Sequence, residues 1–240
     1  MKAEAAQQRS LLELAEADAE LGRLHHRATH LPEQQRYDDA VSAQRDAADR
    51  LAVLGIAADD LDAQVSRLEA EVDGVRNRED RDRRLLDAGS VNAKQLEELQ
   101  HELGTLARRQ SSLEDTLLEV MERREQLAAE QSEANAAVQA ADAEVSAALA
   151  ARDEATAGIE QARAERTAQR AQLASAVDAE LLGLYEQQRA SSGIGAGLLQ
   201  GGRCGACRIE LDRGEIGRIT AAPADEVLRC PECRAILVRP

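Results

Sequence analysis

The sequence predicts a mainly α chain: a long antiparallel coiled-coil hairpin followed by a small C-terminal β ribbon. Three observations carry that prediction. The 240 residues include two Tyr and no Phe or Trp, too few aromatic side chains to fill an ordinary globular centre. Hydrophobic residues make up 43% and charged residues 31%, and with Ala, Leu, Glu, Arg and Gln dominant this is the composition of helices whose apolar residues form a seam. All four cysteines fall after residue 203, as two Cys-x-x-Cys pairs.

Taken in order, Leu14, Leu21, Leu24 and Leu31 mark a first helical segment, which Pro32 ends or kinks because proline lacks the amide that a continuing helix needs. From Tyr37 a 3,4 alternation runs through Ala40, Gln44, Ala47, Leu51, Leu54, Ala58, Leu61, Val65, Leu68 and Val72 to Val75, and only Gln44 is polar. A second run begins at Leu96 and continues to Ala148, interrupted by Gln110, Arg124 and Gln131. Such a 3.5-residue period implies a left-handed supercoil. Residues 87–92 separate the runs. Gly89 there can close one helix in the left-handed conformation, and Asn92 followed by Gln95 resembles a capping box opening the next. Two helices of a parallel homodimer would need no such turn, so the expectation is an intramolecular hairpin over residues 1–190 with its tip near 87–92. Its terminal end is Ala-rich and is expected to be thinner and more easily opened than the Leu/Val-rich half near the tip.

Residues 191–202, rich in Gly and Ser, are expected to be a flexible linker, and residues 203–240 a separate unit. Within that unit Ile209 with Leu211, Val227 with Leu228, and Ala235 to Val238 are strand candidates. Rod and ribbon are accordingly expected to unfold independently.

Cys204, Cys207, Cys230 and Cys233 are the most specific signal in the chain. Each pair suits a tight turn that points two sulfurs to one side, and two such turns supply the four thiolates of a tetrahedral metal site. A structural Zn²⁺ is the leading reading. The same ligands would accept iron in a rubredoxin-like site, and redox-active dithiols would want a βαβ setting that the pattern lacks. Four thiolates leave zinc no open position, so catalysis there is not expected. Arg203, Arg208, Arg229 and Arg234 flank the pairs. They can offset the net negative charge of a four-thiolate zinc centre, or they can form a cationic rim for phosphate or an acidic partner.

Charge restricts the remaining readings. Residues 203–240 hold seven Arg against six acids, a net of +1, so residues 1–202 carry −16 against a formal net charge of −15 for the whole chain. An acidic rod repels phosphate backbones, and any nucleic-acid role must be local to the ribbon. Arg76, Arg78, Arg81, Arg83 and Arg84 interleave with Glu79, Asp80 and Asp82, as a solvated, ion-paired helix face would. His25, His26, His30 and His101 lack metal-site spacing and read as surface residues. Phosphate loops and nucleophile elbows are missing from the sequence. With no apolar leader and no long apolar run, the chain reads as cytoplasmic, without membrane contact or a small-molecule substrate.

Leu96-Glu97-Glu98-Leu99-Gln100-His101-Glu102-Leu103, Leu113-Glu114-Asp115 through Met121-Glu122, Leu181 to Arg189 and the two cysteine pairs together resemble the bacterial C4-type zinc ribbon proteins with an N-terminal coiled-coil hairpin. The resemblance spans nearly the whole chain. It implies one Zn²⁺ on the four cysteines and a hairpin rather than a parallel dimer, with family roles suggested in nucleic-acid binding and in chaperoning or regulating flagellar and secretion components. Zinc ribbons often carry Gly after the second cysteine of each pair, whereas this chain carries Arg208 and Arg234. The expected function is a non-enzymatic adaptor or chaperone for a protein partner, and the alternative is a nucleic-acid-binding regulator acting through the ribbon.

Overall fold

Pro32 opens the longest apolar repeat of the N-terminal half, and the chain breaks its helix just before it. In a computed structural model, which describes residues 1–89 and 91–240, helix α1 spans Ala5–Thr29 and α2 spans Pro32–Asp87. Proline at the first helical position lacks only an amide that would find no partner there. Helix α3 runs Ala93–Ser175 and α4 Ala179–Ser192, followed by β1 (Ala196–Gln200), β2 (Arg203–Cys204), α5 (Arg213–Ala221), β3 (Leu228–Arg229) and β4 (Ile236–Val238). The chain divides into two units, residues 1–33 with 150–240, and residues 34–149.

In the unit of residues 34–149, α2 and α3 are antiparallel. Arg36 pairs with Glu144 at 2.7 Å, Gln44 donates to Asp142 at 2.6 Å, Gln131 donates to the Leu54 carbonyl at 3.2 Å, and Arg109 meets Glu71 at 3.5 Å. Arg124 with Asp62 and Arg78 with Glu102 complete the series. Partner numbers on α3 therefore fall as those on α2 rise, which is the register of a hairpin. Ala40, Val72, Val75, Leu106, Val120, Ala134 and Ala148 are buried along the seam. The four polar residues that interrupt the two heptad runs are satisfied: Gln44, Arg124 and Gln131 reach across to α2 or α3, and Gln110 donates to Glu114 at 2.8 Å.

The expected tip near 87–92 includes Ser90, which lies outside the described residues. Around it, Gly89 stands at φ 63°. The Asn92 amide donates to Gln95 Oε1 at 3.0 Å, and the Gln95 amide donates to Asn92 Oδ1 at 2.9 Å, the reciprocal pair of a capping box. Three of the five neighbouring arginines are ion-paired, Arg83 with Glu79 at 3.0 Å, Arg76 with Glu114 at 2.7 Å and Arg78 with Glu102, while Arg81 and Arg84 make no ion pair among the described residues.

In the other unit, α1 runs antiparallel to the end of α3, tied by Arg166 to Glu20 at 2.5 Å and Arg170 to Asp18 at 2.6 Å. The chain then turns through residues 176–178, where Asp178 caps α4 by accepting from the Glu180 and Leu181 amides. Gln7 braces this turn by accepting from the Asp178 amide at 2.9 Å and donating to the Ala176 carbonyl at 3.2 Å. Leu11, Leu14, Leu181 and Tyr185 are fully buried at 0% exposure. At this base α1, α4 and the sheet bring bulky side chains that the alanines alone do not imply, whereas over residues 34–45 and 134–149 the buried apolar seam residues are Ala40, Ala134 and Ala148.

The expected linker at residues 191–202 requires correction. Ala196–Gln200 is strand β1, central in a sheet of order β2-β1-β4-β3. It runs parallel to β4, Ala196 opposite Ile236 and Leu198 opposite Val238, and antiparallel to β2. Glycine serves packing here: a Cβ on Gly195 would lie 2.4 Å from the Tyr185 ring. Ala196 and Ile236 share one core with Leu11, Leu14, Val177, Leu181 and Tyr185. The N-terminus also joins the ribbon, since the Ala3 amide donates to the Asp225 carbonyl at 2.8 Å and the Val227 amide to the Met1 carbonyl at 3.2 Å. Ribbon and helical base are one packed body.

Candidate metal centre

Each Cys-x-x-Cys pair is folded by the same backbone bonds. In the first turn the Arg208 amide donates to the Cys204 carbonyl at 2.7 Å, and the Cys204 amide donates to Ile209 at 3.0 Å. In the second, the Arg234 amide donates to Cys230 at 3.0 Å and the Cys230 amide to Ala235 at 2.9 Å. The residue after each second cysteine must then turn left-handed, and Arg208 and Arg234 both stand at φ 63°. This is the geometry for which glycine is the unstrained choice. Gly205 meets a separate demand: a Cβ there would come 2.5 Å from the Leu198 carbonyl oxygen, the acceptor of the Gly205 amide. β1 thereby presses directly on the first turn.

The two turns bring four sulfurs together, each within 4.8 Å of the others. Cys204 and Cys233 Sγ are 3.9 Å apart, as are Cys207 and Cys230 Sγ. A tetrahedron with metal–sulfur bonds of about 2.3 Å has edges of roughly 3.8 Å, so the sulfurs, standing in for thiolates, fit one zinc ion. Cys204 and Cys230 are buried among Leu211, Ile219, Leu228 and Leu237. Burial pushes the Cys204 thiol up, and it pushes Cys233 up to about 12. Burial opposes ionisation at Cys207 as well, but the Ile209 amide and the neighbouring sulfurs outweigh it and hold that thiol low. Bound Zn²⁺ supplies the positive charge that keeps all four as thiolates and ties the two turns together. With four protein ligands the set is closed, and its role is structural.

The fold and this site define a coiled-coil hairpin protein with a C-terminal four-cysteine zinc ribbon. Residues 14–193 match the CT398-like coiled coil hairpin domain, and residues 203–237 match the C4-type zinc ribbon domain. The chain belongs to the CT398-like coiled coil hairpin family. It is 60% identical over 239 residues to the uncharacterized protein Rv2229c of Mycobacterium tuberculosis, covering 100% of this chain and 98% of that one. A solved structure from Mycobacterium smegmatis is 57% identical, with full coverage of both chains and a TM-score of 0.85. CT398 of Chlamydia trachomatis, at 17% identity, 98% coverage of each chain and a TM-score of 0.67, shares the fold.

The flanking arginines differ among themselves. Arg203 lies 3.5 Å from Glu210 in an exposed ion pair. Among the described residues Arg208, Arg229 and Arg234 make no ion pair, and all are exposed. Among the described residues no histidine joins the four-cysteine cluster, and His26 and His30 stack at 4.3 Å. Several supporting groups were not legible beforehand. Gln188, buried in α4, donates to the carbonyl of the ligand Cys233 at 2.9 Å. Arg239 donates to the Ala222 and Pro223 carbonyls, both at 2.6 Å, and holds the end of α5. Helix α5 had a readable signal, since Asp212 caps it by accepting from the Gly214 and Glu215 amides and Glu215 stands three residues on. Ile209 and Leu211, expected as a strand, lie outside the named strands, although Glu210 between them forms an isolated bridge with Arg203.

Proposed function

We propose that this chain is a non-enzymatic, cytoplasmic adaptor or chaperone whose hairpin binds a protein partner and whose zinc ribbon is a structural clasp. The observation carrying this reading is the economy of the hairpin unit, residues 34–149. Its two long helices bury a thin seam, and their outward faces cover nothing else in that unit. The closed thiolate set supports a non-catalytic role, and among the described residues no helix is long and apolar enough to cross a membrane. Photo-crosslinking from outward positions of α2 and α3 in living cells, followed by mass spectrometry, tests the reading. Reproducible protein crosslinks on the hairpin are expected, and their absence at every position would overturn it.

A second reading, nucleic-acid binding through the ribbon, draws on the unpaired Arg208, Arg229 and Arg234. The acidic charge of the preceding residues opposes it. Titration against generic RNA and DNA at two salt concentrations tests it, because phosphate contacts require a steep salt dependence. Reversing Arg203, Arg208, Arg229 and Arg234 to Glu should abolish any such affinity while leaving helicity intact.

A further inference from the structure

The outward stripe of α2 departs from what a solvated helix face requires. Counting from the seam residues Leu51 and Leu54, the positions pointing away from α3 include Asp46, Asp49, Val53, Ile56 and Asp60 at 3,4 spacing. Val53 is 64% exposed and Ile56 66%, the two highest values among the large exposed apolar residues described. Asp49 and Asp60 bracket them at four residues on either side, and neither acid forms an ion pair among the described residues. The same acid-x3-apolar-x2-apolar-x3-acid spacing recurs on the flank of α3 as Glu114, Leu118, Met121 and Glu125, where Leu118 is 59% and Met121 44% exposed. One such pair is unremarkable surface; the same bracketed step on both arms of one unit is a pattern.

We infer that these two stripes are docking sites for an amphipathic helix of a protein partner that carries two apolar anchors bracketed by Lys or Arg. The inference rests on the adaptor reading and names the partner's chemistry. Helical spacing selects the ligand shape, because anchors three residues apart match side chains on one face of a second helix. Charge selects its sign. A second copy of this chain would set Asp49 and Asp60 against acids of its own, and phosphate backbones or anionic lipid surfaces are repelled by the same carboxylates. A basic helix buries Val53 and Ile56 and neutralises the bracketing acids at once. The α3 stripe offers less free charge, since Glu114 is already engaged by Arg76, so α2 is the stronger site.

The test uses the full-length zinc-loaded protein and a fluorescein-labelled synthetic helix with Lys-x3-Leu-x2-Leu-x3-Lys spacing, with a Glu-bracketed twin as control. Fluorescence anisotropy should show binding of the Lys peptide, weakened by salt, and much weaker binding of its twin. Val53→Ser/Ile56→Ser should lower affinity by about tenfold or more, as loss of central anchors does, while helical circular dichroism stays unchanged. Asp49→Lys/Asp60→Lys should reverse the preference between the peptides. Equal binding of both peptides, or affinity indifferent to all these changes, overturns the inference. So does a wild-type dimer that Val53→Ser/Ile56→Ser converts to monomer, which would assign the stripe to self-association. Cellular crosslinks that map elsewhere on the hairpin would leave the adaptor reading standing and remove this one.

Discussion

Arg208 and Arg234 occupy a backbone conformation in which a side chain is a liability, both at φ 63°. Arg→Gly at either position removes strain of about 1 kcal/mol and restores a comparable flexibility to the unfolded chain. The expected outcome is zinc stoichiometry of one and a melting temperature equal to or above the wild type. A β-branched replacement, Arg208→Val, should instead destabilise by about 1–2 kcal/mol. Asp18 presents the opposite case, a single acid on which a whole packing arrangement closes. Its side chain is 6% exposed and meets Arg170 at 2.6 Å and Arg189 at 2.8 Å, and it accepts from the Tyr185 hydroxyl at 2.7 Å. Asp18→Ala removes the acceptor shared by Arg170, Arg189 and the Tyr185 hydroxyl, leaves both guanidinium groups on Glu186 alone, and should cost about 2–4 kcal/mol, read by denaturant unfolding. Burial, then the Asp18 carboxylate, raise the Tyr185 phenol well above its ordinary value. The fold therefore favours the protonated phenol, and its contribution is complete below the unfolded-state value of about 10 and declines as pH rises above it. Tyr185→Phe should lower stability by about 1.5–3 kcal/mol near neutrality, with the gap to wild type narrowing above about pH 10.

At the scale of elements, α2 carries its seam past the point where apolar residues stop. Val72 and Val75 are followed at the same 3,4 spacing by Glu79 and Asp82, which are 4% and 8% exposed. Glu79 Oε2 reaches Arg83 at 3.0 Å, while its Oε1 is buried without a hydrogen-bond partner among the described residues. A desolvated, half-satisfied carboxylate weakens the seam where the tip begins. Glu79→Leu should stabilise the hairpin unit by about 1–3 kcal/mol, seen as slower amide exchange over residues 72–86 and 99–106. Unchanged or faster exchange would mean that the acid is accommodated at no cost. Gln44, Gln110, Arg124 and Gln131, each bonded, should give no such gain when replaced by Leu.

For the molecule as a whole, the shared core of α1, α4, β1 and β4 makes zinc a stabiliser of the helical base as well as of the ribbon. Ile236, three residues after the ligand Cys233, packs in one core with Leu11, Leu14 and Tyr185, and Gln188 ties α4 to the carbonyl of Cys233. Chelation should therefore speed amide exchange at residues 5–17 and 179–192 along with 203–240, and leave residues 54–75 and 106–131 protected. Near-ultraviolet circular dichroism should lose much of its tyrosine signal, because one of the two tyrosines, Tyr185, is fully buried in that core. Exchange confined to residues 203–240 would restore the independent ribbon that the Gly/Ser-rich stretch implies.

The features written in near neighbours were legible from residue order alone. Heptad spacing identified the seam, Asn92 and Gln95 the start of α3, and two cysteine pairs the metal, because helix periodicity, capping and thiolate chemistry act over a few residues. Tertiary contact decided what sequence-distant residues do. The stretch 191–202 has the composition of a linker, yet Ala196–Gln200 within it becomes a central strand because β4, some forty residues later, offers a partner and Tyr185 needs a neighbour without a side chain at Gly195. Asp18 is one of 45 acids, set apart only when three helices enclose it with Arg170, Arg189 and Tyr185. Periodicity shows which face of a helix is buried; it carries no information on which distant segment covers that face, because that is settled by shape and burial across the folded chain.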